Sequence, residues 1–279
     1  MRTLRFVIVD VFTDRPFAGN QLAVFTDARD LDDATMQALA LELGFPETSF
    51  VLAPAAGGHA RIRIFNPAHE MRFAGHPTLG TAFVLGAPLQ LGVILLETAA
   101  GIVDVTLERD DSGAIVFGRM VQPTPDVRPF EQADAVLEAL GIERSELPIE
   151  LYDNGARHVL VALPSEADVA ALEPDLSRIG AFDVTGVNCF AGEGERWKLR
   201  MFWRLGEDAA TGSAAGPLAC HLARHGVVGW GTEIVISQGA EIGRPSTLCA
   251  RADGSVAGIE RVTCGGSAVV VARGEFRLP

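Results

Sequence analysis

The sequence predicts an α+β fold of two pseudo-symmetric domains, each a rolled mixed β-sheet around a central α-helix. Three observations predict it. First, the chain repeats itself. RIFNPAHEMRFAGHPTLG at 63–80 and RMFWRLGEDAATGSAAGP at 200–217 align Arg63 with Arg200, Phe65 with Phe202, Glu70 with Glu207 and Gly75 with Gly212, each pair 137 apart in a chain of 279 residues. Second, each copy ends by opening a helix, at Gly75 or at Gly212, that is apolar nearly all round, the pattern of an enclosed helix rather than a surface one. Third, strands come in runs around these helices. A Rossmann sheet would alternate single helices with strands and carry GxGxxG after its first strand, and neither is present.

The elements follow in order. Residues 4–12 and 21–26, rich in Val, Ile and Phe, read as strands separated by the turn TDRPFAGN. Leu31 to Gly44 has helical spacing, opened by Asp32 and Asp33 and stopped by Gly44. Thr48–Ala53 and Ala60–Phe65 are strands. Gly75–Gly86 is the first enclosed helix, with Pro77 in the first turn, where proline is tolerated. Strands near 93–97, 101–108 and 114–121 complete the first half. The Pro-rich stretch VQPTPDVRP at 121–129 is the candidate linker, dividing a first lobe, 1–121, from a second, 122–265. The second half repeats the order: a helix over Phe130–Leu140, strands near 157–163, 184–190 and 197–203, the enclosed helix Gly212–Gly226, and strands near 232–238, 246–251, 256–262 and 267–273.

Composition bounds the function. With 48% hydrophobic residues there is material for two cores, and no apolar run reaches the roughly 18 residues of a membrane span. A formal net charge of −13 argues against nucleic acid, which needs a basic face. An anionic ligand must then be held by local donors. MRTLRFVIVDVF alternates like a strand and lacks a signal-peptide cleavage site, so a cytoplasmic location is expected. Cys189, Cys220, Cys249 and Cys264 show no CxxC spacing, no HExxH is present, and the helix start that Pro77 marks falls between His69 and His76 and takes them off one helical face, so no metal site is expected.

The candidate site residues cluster in the repeat. Glu47, in GFPETSFV, follows a helix stop and a proline and precedes an apolar strand. It is either a solvated or capping carboxylate or one projecting into a dry cleft, where burial raises a carboxyl toward the general acid/base range. His76 opens the first enclosed helix, as a cap or as a donor, acid or base, and Ser213 takes the equivalent place in the second copy. Asp208 either caps the second helix or holds a polar ligand group. Thr211, Gly212 and Ser213 make a small-residue helix start suited to close approach by a carboxylate, without the Lys of a P-loop. Asn20 and the loop Gln238–Ser246 are the other unusual loop positions, and the pairing of Arg63 with Arg200 suggests a shared structural duty.

Taken together, DVFTDRPFAGNQLAVF at 10–25, ETSFV at 47–51, FNPAHEMRFAGHPTLGTAFVL at 65–85, GEDAATGSAAGPLACHL at 206–222 and QGAEIGRPS at 238–246 resemble the phenazine-biosynthesis isomerase family, the PhzF-like proteins. The resemblance implies a diaminopimelate epimerase-like fold with the active site between the lobes and the last strand, about 266–279, returned to the first lobe. It implies a homodimer that works without cofactor or metal. It implies an isomerase of the trans-2,3-dihydro-3-hydroxyanthranilate type acting on a small anionic substrate. In that scheme Glu47 carries the proton, His76 and Asp208 complete the catalytic set, Ser213 contacts substrate, and Gly75 and Gly212 offer N–H donors, with Asn20 and Thr211 beside them. Racemases of the wider fold carry a thiol just before each repeated helix. Here those positions are Ala74 and Thr211, which disfavours two-thiol chemistry. Pro46 stands where the family often has Ser, which leaves a non-catalytic binding protein on the same fold as the alternative.

Overall fold

The computed structural model describes residues 2–255 and 257–278. The chain divides into two compact units, Met1–Val121 with Gly265–Pro279, and Gln122–Cys264. The first half supplies β1 (Arg2–Val11), β2 (Asn20–Phe25), α1 (Asp33–Leu43), β3 (Glu47–Leu52), β4 (Ala60–Phe65), β5 (Glu70–Met71), α2 (Gly75–Leu89), β6 (Val93–Thr98), β7 (Gly101–Arg109) and β8 (Ile115–Gln122). The second supplies β9 (Asp126–Pro129), α3 (Ala133–Leu140), β10 (Glu150–Asp153), β11 (Arg157–Ala162), α4 (Glu166–Ala170), α5 (Leu176–Ile179), β12 (Gly186–Glu193), β13 (Arg196–Trp203), β14 (Gly206–Asp208), α6 (Gly212–Arg224), β15 (Glu233–Gln238), β16 (Ser246–Ser255) and β17 (Gly258–Gly266). The last strand, β18 (Ala268–Leu278), lies antiparallel to β1, from Arg2 opposite Leu278 to Val11 opposite Ala268.

In the first unit β1 pairs antiparallel with β2, β2 parallel with β3, β3 antiparallel with β4, β4 antiparallel with β5 and parallel with β6, and β6 antiparallel with β7. In the second unit β10, β11, β12, β13, β14, β15 and β16 pair in the same order and the same directions. The registers match as well. Phe65 lies opposite Glu70, and Phe202 opposite Glu207. Phe50 lies opposite Arg63, and Cys189 opposite Arg200. Counting back along these rungs, Glu47 beside Leu22 corresponds to Gly186 beside His158.

The duplicated arginines have the same job in both units. Arg63 donates from Nε and Nη2 to the two oxygens of Glu70 at 2.7 and 2.6 Å, and Arg200 does so to Glu207 at 3.1 and 2.7 Å. Each guanidinium also stands over the phenyl ring two residues on, 5.1 Å from Phe65 and 4.7 Å from Phe202. The forked pair ties the short strand, β5 or β14, to the long one and so sets the loop that leads into the inner helix.

Local signals account for the helices. Asp32 caps α1 by accepting from the Thr35 N–H at 2.8 Å, and Gly44 ends it at φ 65°, a left-handed turn that glycine adopts without steric cost. α1 lies over Phe25, Phe50 and Phe65, with the rings of Phe25 and Phe50 stacked at 4.9 Å and Phe65 edge-on to Phe50 at 5.5 Å. On the other face Gly80 of α2 meets Leu22 and Val11. β2 is thus covered on both sides, which is why it reads as a continuous apolar run rather than an alternating one. In the second unit the outer helices cover Leu151, Val159, Val161, Val187, Cys189 and Phe202.

The sequence expectations needed correction in places. The proposed linker at 121–129 is largely ordered: β8 runs to Gln122, and Asp126–Pro129 pairs with β10 from Asp126 opposite Asp153 to Pro129 opposite Glu150. Proline is tolerated on a short strand of this kind, where its missing N–H costs little. β5, β10 and β14 are not predicted from the sequence, because two to four residues cannot display a periodicity. α2 continues past Gly86 to Leu89, with Pro88 in its final turn and Gln90 in left-handed conformation at its end. α3 begins at Ala133, not Phe130.

Candidate active site

In the first unit the predicted residues Glu47 and His76 meet. β3 begins at Glu47 and α2 at Gly75, and His76 Nε2 stands 3.1 Å from Glu47 Oε2. Both side chains are withdrawn from solvent, at 4% and 16% exposure. The two atoms meet the distance but not the directional requirement of a hydrogen bond, so this is a close approach of ring and carboxylate rather than a formed bond. Burial lowers the His76 pKa to about 3, opposed by a hydrogen bond to the Gln21 backbone. A bond that favours the protonated ring is one the ring donates, and it uses Nδ1 because Nε2 faces Glu47. His76 is therefore neutral near pH 7, with Nδ1–H directed at the Gln21 carbonyl and the Nε2 lone pair toward Glu47. Such a ring presents an acceptor to the carboxyl. Asn20 is fully buried at the start of β2, opposite Val11.

Neither inner helix has a side-chain cap at its N-cap residue, Ala74 or Thr211. The N–H groups at Gly75 and His76, and at Gly212 and Ser213, begin the helices there. In the second unit the approach to α6 is held by a bracket that the sequence reading did not resolve. Gln238, at the end of β15, accepts from the Thr211 N–H at 2.9 Å and donates to the Asp208 carbonyl and the Thr211 hydroxyl, each at 2.9 Å. Thr211 Oγ1 in turn donates to Asp208 Oδ2 at 2.7 Å. Gln122 donates to the Gly212 carbonyl at 2.7 Å and Asn154 to the Ser213 carbonyl at 2.9 Å. The last contact answers a local defect. Pro217 lies inside α6 and has no N–H for the carbonyl four residues back, which is that of Ser213. Ser213 Oγ lies 2.9 Å from Nε2 of His158, a fully buried ring on β11.

Asp208, Thr211, Gly212 and Ser213 are thus assembled within the second unit, as Glu47, His76, Gly75 and Asn20 belong to the first. Gln122, Asn154 and His158 stand in no sequence motif, and Gln238 is marked only as the first residue of an unusual loop. The repeat offered the one available signal for His158, whose counterpart by strand register is Leu22. A surface concavity of about 320 Å³ in the first unit, lined by Arg61, Arg63, Glu70, Arg72 and Glu97 among others, includes neither Glu47 nor His76.

Motif spacing does not reveal one group of possible metal ligands among the described residues. Glu150, His221 and His225 bring ligand-type atoms within 4.8 Å of one another. His221 lies in the last turn of α6 and His225 just beyond its end. Their focus, however, is already occupied by donors. Glu150 Oε2 accepts from Arg224 Nη1 at 2.7 Å and from the Tyr152 hydroxyl at 3.0 Å, and lies 3.2 and 3.1 Å from His221 Nδ1 and His225 Nε2. A divalent ion there would face a guanidinium, so the group reads as a hydrogen-bonded charge cluster. Burial pulls the Glu150 carboxyl upward, but the bonds from His221, His225 and Tyr152 and the charge of Arg224 outweigh it and hold the group well below the usual carboxylate range. The cysteines are at neither helix start. Burial raises the Cys189 thiol strongly and pushes that of Cys220 up to about 12, which leaves neither as a thiolate near pH 7.

The family model for phenazine biosynthesis-like proteins matches residues 9–274. The chain is 48% identical over 276 residues to the trans-2,3-dihydro-3-hydroxyanthranilate isomerase of Pseudomonas chlororaphis, an alignment covering 98% of this chain and 99% of that one. A PhzF-family phenazine biosynthesis protein from Bacillus anthracis superposes with a TM-score of 0.85 at 25% identity, covering 100% of both chains. A hydroxyproline epimerase from Agrobacterium vitis, at 14% identity and a TM-score of 0.68 over 98% of this chain and 92% of that one, shares the fold alone.

Proposed function

Because the chain belongs to the phenazine biosynthesis-like protein family and is an isomerase, we propose that it moves a proton between carbons of a small carboxylate-bearing substrate with Glu47 as the carrier. The observation that carries the reading is the buried approach of Glu47 Oε2 to His76 Nε2 at 3.1 Å. A carboxyl beside a neutral imidazole in a water-poor setting has the chemistry of a general acid/base, and a carboxyl so placed contributes about 10²–10⁴-fold to proton transfer. His76, presenting the Nε2 lone pair, favours the protonated state of Glu47. Asp208, its carboxylate fixed by the Thr211 hydroxyl, orients a polar group of the substrate. The N–H groups at Gly75 and Gly212 and the hydroxyl of Ser213 receive its anionic oxygens, with Asn20 and Thr211 lining the approach.

Two features favour a single carboxyl carrier over a pair of bases. The rung of the second unit that corresponds to Glu47 holds Gly186, which has no side chain. The positions ahead of the inner helices are Ala74 and Thr211, neither of which exchanges a proton with a carbon acid. The reaction so described is proton transfer alone and calls on no redox group or Lewis acid. The homodimer and the cytoplasmic location are carried with this reading, and sedimentation equilibrium tests the former.

Trans-2,3-dihydro-3-hydroxyanthranilate is the first substrate to try, followed by NMR in deuterated water. The parent is expected to isomerise it, and Glu47→Gln, which keeps shape and removes basicity, to lose at least about 100-fold. Turnover by Glu47→Gln at the parent rate refutes the reading. Binding without any conversion or deuterium uptake identifies a binding protein on this fold.

A further inference from the structure

Ser213 is the counterpart of His76 by the 137-residue repeat, and its hydroxyl has a buried partner of its own. That partner, His158, lies on the rung that holds Leu22 in the first unit, so a leucine suffices there for packing alone. Its ring is flanked on both nitrogens. Nε2 is 2.9 Å from Ser213 Oγ, and Nδ1 is 3.3 Å from Asn188 Nδ2. The orientation of the Asn188 amide follows from its surroundings. The same Nδ2 lies 3.2 Å from the carbonyl oxygens of both Val159 and Gly186, and only an NH₂ group can face two carbonyls. Nδ1 of His158 therefore faces an amide nitrogen, which has no lone pair to accept an N–H, so Nδ1 stays unprotonated and the ring hydrogen lies on Nε2. The Nε2–H then donates to Ser213 Oγ, and the hydrogen of the serine hydroxyl is left to point elsewhere.

We infer that His158 is a positioning residue that makes Ser213 a hydrogen-bond donor toward the ligand, so that the group Ser213 meets is an acceptor oxygen, as of a carboxylate, rather than an amine. The inference rests on the proposed function for the identity of the site, and extends it to the polarity of one contact. Burial supports it independently, lowering the His158 pKa to about 3 and keeping the ring neutral at working pH. A charged ring would also set an Nδ1–H against the Asn188 amide. The donated bond occupies one oxygen lone pair of Ser213 and polarises the O–H that remains.

Two measurements test this. Long-range ¹H–¹⁵N correlation of the ¹⁵N-histidine-labelled parent protein at pH 7 reads the tautomer directly, and a neutral ring protonated at Nε2 is expected. Titration with 3-hydroxyanthranilate, a stable carboxylate-bearing probe, reads the consequence. His158→Leu, the residue that nature places on the matching rung, is expected to weaken binding about 5–20-fold. His158→Gln, whose amide N–H₂ can donate in place of Nε2, restores it to within about threefold. In a Ser213→Ala background the Leu and Gln variants bind equally, which a merely structural role would not produce. A ring protonated at Nδ1, or equal affinity of the parent and His158→Leu, overturns the inference whatever the activity of the protein. An Nε2-protonated ring and the expected affinity series in a protein that isomerises nothing sinks the functional reading and leaves this one standing.

Discussion

The duplicated Arg–Glu pair gives an internal control on what burial does to an ion pair. In the second unit the Arg200 and Glu207 side chains are 9% and 6% exposed, and Arg200 Nη1 also donates to the carbonyls of Val169, Ala170 and Leu172 at 3.2, 3.0 and 2.9 Å. In the first unit Glu70 is 38% exposed, and Arg63 keeps a second carboxylate, Asp33, at 2.6 Å. Glu207→Gln removes one charge of a dry pair and leaves the other without compensation, a change that costs about 3–5 kcal/mol when no other partner remains. The three carbonyls offset part of this, and about 3 kcal/mol is expected. A unit of roughly 140 residues loses about 3 °C of melting temperature per kcal/mol, so its transition falls by about 10 °C. Glu70→Gln breaks a solvated pair whose arginine retains Asp33, and should cost at most about 1 kcal/mol. Differential scanning calorimetry of parent and both variants reads the two numbers. Equal shifts, or a larger shift for Glu70→Gln, would show that burial is not what separates the two copies.

Two further outcomes follow from buried groups. His76 and His158 titrate near 3 in the folded protein against an ordinary 6.5, both through burial, so below about pH 6.5 the unfolded chain binds protons that the folded chain refuses. Stability is then full above about pH 6.5 and falls on acidification, by about 1 kcal/mol per histidine between pH 7 and 5.5. Urea midpoints that drop over this interval, and drop less in a His158→Leu variant, agree with this; a flat profile does not. Gly216→Ala sets a methyl group of α6 against the Gln122 amide oxygen and the Val262 side chain. An exposed helix would gain about 1 kcal/mol from that change, whereas here a loss of about 1–3 kcal/mol in thermal unfolding is expected, and a stabilised variant would contradict the packing described.

The repeat was legible because the residues that hold each copy together are chemically distinctive. An arginine fork, a phenyl ring and a glutamate keep their spacing while the apolar residues around them drift. The outer elements were harder to read. α4 and α5 carry good N-caps, with Ser165 accepting from Asp168 N–H and Asp175 from Ser177 and Arg178, but helices of five and four residues show too little periodicity to stand out. β9 is disguised by Pro123, Pro125 and Pro129. At the site, Glu47 stands out as a carboxylate between a proline and an apolar strand, His76 and Ser213 as the matched openings of the two inner helices, and Asp208 as the acid of the polar loop before the second. Their supports are invisible in sequence for a physical reason. Gln122, Asn154, His158 and Gln238 act through space across 27 to 90 residues of chain, and, the unusual loop that Gln238 opens apart, each sits in an unexceptional strand or turn. The charge cluster at Glu150 was missed likewise, since its carboxylate is 71 residues from the nearer histidine.

The bare rung at Gly186 has a stereochemical consequence. If Glu47 lifts a hydrogen from one carbon of the ligand, as the proposed function has it, the corresponding rung of the second unit has no carboxyl to deliver another. The hydrogen must ride on the same arm and be set down on the same face of the molecule, a suprafacial passage. A label placed on the departing position should then survive in part into the product, to the extent that the carboxyl keeps it from passing water.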